Sequence, residues 1–127
     1  SLLQLVELGF LHADDARTRA TLEAVERGLR HGDNLFRYAA PDDFGPPETA
    51  FNFCTFWFIE ALHRQGRTDE ARRLFEGLLA RRTRAGLLSE DVALDTGELW
   101  GNYPQTYSLV GIIACAWALS RPWQAVR

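Results

Sequence analysis

Hydrophobic positions along the chain fall into blocks of two kinds. From Thr49 to Leu62 the residues Thr-Ala-Phe-Asn-Phe-Cys-Thr-Phe-Trp-Phe-Ile-Glu-Ala-Leu are apolar on almost every side, and Tyr107 to Leu119, with Trp117 near its end, has the same character. A run of this length fits a buried helix better than a strand, although its aromatics favour strand by propensity. Ser1 to Leu11 reads as a short helix with Leu2, Leu3, Leu5, Val6 and Leu8 over most of its circumference, ended by Gly9. Between these blocks lie amphipathic ones. A helix capped by Asp14 or Asp15 runs to about Arg30, with Ala16, Ala20, Leu22, Val25 and Leu29 on one side. Another starts at Thr68 and runs to about Arg84, with Leu74, Phe75, Leu78 and Leu79 as its stripe. Turns fall at His31-Gly32-Asp33-Asn34 and Gln65-Gly66-Arg67. Leu35 to Tyr38 suits a short extended piece, and Pro41 to Pro47 is irregular by composition.

Buried and amphipathic helices therefore alternate, and a helix apolar on every side must be covered on every side. The pattern predicts an all-α fold, an α/α hairpin array of inner and outer helices. Five helices cannot wrap three buried ones. Part of the cover is expected from a missing N-terminal portion or from self-association.

Composition narrows the picture. One domain is expected of 127 residues, 46% of them hydrophobic and 24% charged. The net charge of −3 speaks against nucleic acid as a partner, since that needs a basic face to release counterions. Arg72, Arg73, Arg81, Arg82 and Arg84 share a helical stretch with Glu70 and Glu76, which reads as a solvated face. No run approaches the ~18–20 apolar residues of a membrane span. Cys54 and Cys115 sit in apolar runs and read as free buried thiols, so a cytoplasmic location is expected. The chain starts at Ser1 and holds no methionine, and is expected to be processed or a piece of something longer.

The candidate chemistry gathers between the last two helical runs, from Arg84 to Ser108. This connection holds Glu90, Asp91, Asp95 and Glu98 with Trp100, Tyr103 and Tyr107. Glu48 and Trp57 flank the start of the buried helix. Carboxylates beside aromatic rings suit a sugar, because carboxylates accept from hydroxyls and rings stack on the pyranose face. A carboxylate near a water can also act as general base. The plainer reading is that these acids are loop solubility and helix caps. His12, His31 and His63 share no metal-ligand spacing, and neither a phosphate-binding Gly loop nor a nucleophile elbow is present; no metal or other cofactor is expected.

The series Glu48-Thr-Ala-Phe-Asn-Phe-Cys-Thr-Phe-Trp57, Gly66-Arg67-x-Asp69-Glu70-Ala71, Gly86-Leu-Leu-Ser-Glu90 and Gly101-Asn-Tyr-Pro-Gln105-x-Tyr107-Ser108 resembles the C-terminal part of glucoamylase-type glycoside hydrolases, family 15, over Ser1 to about Leu119. The Ser-Glu and Gly-Asn-Tyr-Pro-Gln combination is the specific part. The resemblance implies that residues 1–127 are the C-terminal portion of an (α/α)6 barrel catalytic domain. It implies an inverting hydrolase of α-glucosidic bonds, with an oligosaccharide or disaccharide as substrate and one carboxyl group on each side of the scissile bond. Glu90 matches the general base. Glu48 and Trp57 match positions close to the sugar, and Trp100 and Tyr103 join them as candidate substrate-binding residues. The general acid has no counterpart in the chain, so the piece alone is expected to be inactive. Two positions depart from the family pattern: Asp91-Val92-Ala93 lacks the usual aromatic after Ser-Glu, and Leu109 stands where bacterial members commonly have His. The alternative is a helical-hairpin, tetratricopeptide-like interaction module. Ala61 to Ala71 offers one half-repeat for it, where that class needs self-similarity at about 34 residues over three or more units.

Overall fold

Asp15 starts the first regular helix. Its side chain accepts the Arg17 amide at 2.8 Å, satisfying one of the amides that a helix start leaves unpaired. The structure, a computed structural model, describes residues 2–43 and 45–120. Ser1 of the expected first helix and Phe44 of the expected irregular stretch lie outside them.

Helix α1 (Ala16–Leu29) runs into a tight antiparallel hairpin, β1 (Arg30–His31) and β2 (Asn34–Leu35), turned by Gly32 at φ 61°. Strand β3 (Thr49–Phe51) then leads directly into α2 (Asn52–Arg64), which turns at Gly66 into α3 (Thr68–Ala80). Strands β4 (Asp91–Ala93) and β5 (Leu99–Trp100) and helix α4 (Thr106–Leu119) complete the chain. The second sheet is antiparallel in the order β3-β4-β5, with Phe51 opposite Asp91 and Asp91 opposite Trp100.

Helices dominate as the patterning predicts, but the all-α expectation is corrected by these strands. The first three residues of the expected buried helix, Thr49-Ala50-Phe51, pair with Asp91–Ala93 instead. Their β-branched and aromatic side chains suit a pleated surface, and the partner strand lies forty residues on, where periodicity does not reach. Helix α3 stops at Ala80 rather than near Arg84, because the Thr83 amide donates to the Leu87 carbonyl in a turn that Gly86 closes at φ 78°. The expected first helix shrinks to a 3-10 helix at Leu2–Gln4. Beyond it the Phe10 and Leu11 amides fold back on the Leu5 carbonyl.

The core forms around α2. Phe56, Phe58, Ile59 and Leu62 are all buried there, against Leu74 and Leu78 of α3 and Cys115 and Leu119 of α4. Burying each large apolar side chain contributes about 1.5–3 kcal/mol. Both cysteines are free and buried, and burial pushes the Cys54 thiol up to about 11. At the other end of α1, Glu26 and Glu70 share Arg30 and Arg67 in a partly buried network that ties α1 and the first hairpin to the start of α3.

Helix α4 is apolar on every side as the patterning predicts, and these helices cover only part of it. Its Cys115 side is buried, whereas Tyr107, Val110, Ile113 and Trp117 form a stripe along the opposite side, with Ile113 69% and Trp117 86% exposed. Among the described residues, no helix is long and apolar enough to cross a membrane.

Candidate active site

Glu90 sits where three elements converge. Asn52, the first residue of α2, has no capping side chain before it, and its amide donates to the Glu90 carbonyl at 2.9 Å. The loop carbonyl thus takes one of the unpaired amides of the α2 start. The neighbouring Ser89 carbonyl accepts twice, from Asn52 Nδ2 at 3.0 Å and from Ser108 Oγ of α4 at 2.7 Å. The Gln105 amide at the start of α4 reaches Leu88 O at 3.0 Å. Asn52, Ser89 and Ser108 are all buried, so Leu88-Ser89-Glu90 is held on both helices by bonds shielded from water.

The Glu90 side chain emerges from this support into an open cleft of about 780 Å³, bounded by Trp57, Phe53, Tyr107, Phe51 and Arg37. Phe53 lies between the other two large rings, 4.4 Å from Trp57 and 5.4 Å from Tyr107 between centroids. The Arg37 guanidinium stands 5.9 Å from the Phe51 ring. Glu90 Oε2 accepts from the Asn102 amide at 3.1 Å and from Asn102 Nδ2 at 2.7 Å. Beside it, burial pushes the Asp91 carboxyl above its ordinary range and the Glu90 charge adds to this, against a 2.9 Å hydrogen bond from Thr49 Oγ1.

The other candidates lie elsewhere. Glu48 and Trp100 border a second, open depression of about 530 Å³ with Thr49, Asp95, Thr96 and Glu98. Across the sheet from the cleft, directly paired residues point to the same side, and Phe51, Asp91 and Trp100 stand in one row. Tyr103 is half exposed, and its hydroxyl bonds Thr83 Oγ1 at 3.2 Å. It steadies the loop end on the far side of Gly101. Among the candidates, then, the structure brings together Glu90 and Trp57, with Tyr107. Glu48, Trp100 and Tyr103 do not line that cleft.

Three residues around Glu90 escaped the sequence reading. Phe53 looked like core because it lies in an all-apolar run, and Arg37 sits in a stretch with no pattern at all. Asn102 was legible in principle, as the polar centre of Gly-Asn-Tyr-Pro-Gln. Gly101 is confined by the same carboxylate. At φ 75° it favours glycine, and a Cβ there would lie 3.0 Å from Glu90 Oε2. Chemically, the arrangement is a carboxylate with one oxygen anchored, at the edge of an aromatic-walled cleft. Such a group can take a proton from a water while the rings hold an apolar face of the reactant. Among the described residues, no group of three His, Cys, Asp or Glu could hold a metal ion.

Comparison with known proteins places the chain in a family. The family model for glycosyl hydrolases family 15 matches residues 1–117. A trehalase of Thermoplasma volcanium is 37% identical over 117 residues, which cover 91% of this chain and 19% of that protein. A trehalase of Thermoplasma acidophilum is 38% identical over 117 residues, covering 91% and 20%, and one of Mycolicibacterium smegmatis is 34% identical over 116, covering 89% and 17%. The chain spans about a fifth of the length of the curated relatives it matches. No solved structure matches it significantly. With its family model matched over nearly its whole length, the chain belongs to glycosyl hydrolases family 15.

Proposed function

We propose that this chain is the C-terminal portion of an (α/α)6 barrel catalytic domain in an inverting glycoside hydrolase of α-glucosidic bonds, with Glu90 as general base. The observation that carries the reading is the Glu90 carboxylate, braced by α2 through its own carbonyl and by α4 through the Ser89 carbonyl, and facing a cleft walled by Trp57, Phe53 and Tyr107. In this reading Glu90 draws a proton from a water as it attacks the anomeric carbon, and a carboxylic acid from outside this chain protonates the leaving oxygen. Trp57 stacks on the sugar beside the reacting bond. Glu48 and Trp100 line the neighbouring depression for a second sugar unit, and Tyr103 holds the loop between the two. Trehalose is the first substrate to assay, since the relatives above bear the name trehalase. The exposed Val110, Ile113 and Trp117 stripe supports a fold continued by further helices of the barrel.

The test is Glu90→Gln in the full-length protein, assayed on trehalose and on maltose. Loss of a general base lowers kcat by about 10²–10⁴-fold, with an unchanged melting temperature because the backbone bonds at Glu90 remain. A variant that keeps most of its activity on the substrate the unaltered protein hydrolyses removes Glu90 from the mechanism.

A further inference from the structure

Glu90 and Asn102 are joined by three hydrogen bonds. The Glu90 amide donates to the Asn102 carbonyl at 2.9 Å, the Asn102 amide returns to Glu90 Oε2 at 3.1 Å, and Asn102 Nδ2 reaches the same oxygen at 2.7 Å. Both side-chain-directed donors converge on Oε2. Among the described residues Oε1 has no hydrogen-bond partner. A carboxylate held this way is asymmetric: one oxygen is spent on the protein, and its lone pairs are directed at two fixed N–H groups. The other oxygen keeps its lone pairs for whatever enters the cleft.

We propose that Asn102 is the positioning residue of the base. It fixes the χ angles of Glu90, occupies Oε2, and leaves Oε1 as the oxygen that takes the proton from the attacking water. This rests on the reading of Glu90 as general base, and it adds which oxygen works and what aims it. The side-chain amide is suited to the task in three ways. Asn is neutral, so it orients the carboxylate without the strong stabilisation of the anion that a Lys or Arg partner would bring. Its own backbone carbonyl is bound by the Glu90 amide, so the donor cannot drift relative to its acceptor. Gly101 immediately before it lets the strand end approach closely, since a Cβ there would meet Glu90 Cβ and Oε2, each at 3.0 Å. Free rotation of an exposed Glu would instead spread the base over several rotamers, and only one of them serves a water on a given trajectory.

The experiment uses the full-length protein, with trehalose as probe (or maltose if that is the substrate hydrolysed), and reads kcat, KM and the melting temperature for Asn102→Ala and Asn102→Asp beside Glu90→Gln. Asn102→Ala is expected to lower kcat by about 10–100-fold with KM within about twofold, because a misaimed base costs the transition state and not the ground state. Asn102→Asp conserves shape but replaces the Nδ2 donor with an acceptor facing Oε2, so it is expected to lower kcat at least as much. Asn102 is exposed, and the isosteric Asp variant gives a readout if the Ala variant folds poorly. A purely structural role would lower the melting temperature and leave the kcat of the folded enzyme where it was. If both variants keep kcat within about twofold, while Glu90→Gln is inactive, the positioning role is overturned and the base survives. If Glu90→Gln stays active, the base and the positioning role fall together.

Discussion

The Asn52 amide and the Glu90 carbonyl lie 2.9 Å apart, and through that bond the first turn of α2 carries the candidate base. The same residue reaches back with Nδ2 to the Ser89 carbonyl, where Ser108 Oγ arrives from α4. Two helices far apart in sequence thus meet on one buried peptide group. The chemistry of the loop depends on that meeting.

Each donor alone should be partly dispensable. Asn52→Ala or Ser108→Ala leaves the Ser89 carbonyl one partner and is expected to cost about 1–2 kcal/mol each. The double variant strips a buried carbonyl of both, so its loss should exceed the sum by about 0.5–3 kcal/mol. Urea unfolding of the four proteins measures this directly. Additive losses would mean that the Ser89 carbonyl finds another partner on its own.

Gly111 and Phe56 set the spacing of α4 on α2. A Cβ on Gly111 would stand 2.3 Å from Phe56 Cδ2 and 2.5 Å from Cγ. Alanine is worth about 1 kcal/mol over glycine inside a helix, yet overpacking of this kind costs about 1–3 kcal/mol or more. The clash should win, and Gly111→Ala should lower the melting temperature. Pairing it with Phe56→Leu, which withdraws the ring, should recover part of the loss, and no recovery would place the strain elsewhere.

Acid should loosen the junction of α1 and α3. Arg67, through its hydrogen bonds to Glu26, and then Arg30 hold the Glu26 carboxyl down at about 2, against an ordinary 4.5. A depressed carboxyl contributes its full stability above about 4.5 and loses it as the pH falls towards about 2. The site is partly open to solvent, so screening leaves about 1 kcal/mol. Glu26→Gln should therefore be less stable than the parent at pH 7 by about that amount, with the gap closing towards pH 2. A gap that does not change over this range would show that the network contributes packing alone.

Two tryptophans separate the two depressions. Trp57 packs tilted against Phe53 in the cleft that Glu90 also lines, whereas Trp100 lies 53% exposed in the row beyond Asp91. Trp57→Ala should raise KM about fivefold or more on any substrate the full-length protein hydrolyses. Trp100→Ala should matter little for a disaccharide and progressively more as the chain of sugars lengthens. Equal effects on both, whatever the length, would make the two depressions a single subsite.

The boundaries legible in the sequence were those decided locally. A helix cap at Asp14 or Asp15, of which Asp15 serves, and Gly66 as the turn between α2 and α3 follow from residues that act on their own neighbours. The Ser-Glu and Gly-Asn-Tyr-Pro-Gln segments located the candidate site because polar and aromatic residues crowd a connection that two apolar helices must hold still. Thr49-Ala50-Phe51 could not be read in this way. Whether those residues extend the helix or pair as a strand depends on Asp91–Ala93, forty residues distant.

By itself, then, the order of residues determined α1 to α4 to within a few residues at their ends, the buried thiols and the family. Each of these follows from local spacing or from motif. Only the tertiary structure decided that Phe53 leaves the core to join Trp57 and Tyr107, that Glu48 and Trp100 fall in a separate depression, and that both donors of Asn102 converge on one oxygen of Glu90. Such facts depend on which sides of distant elements come to face each other. Packing and strand register decide that, and neither is written in any one stretch of chain.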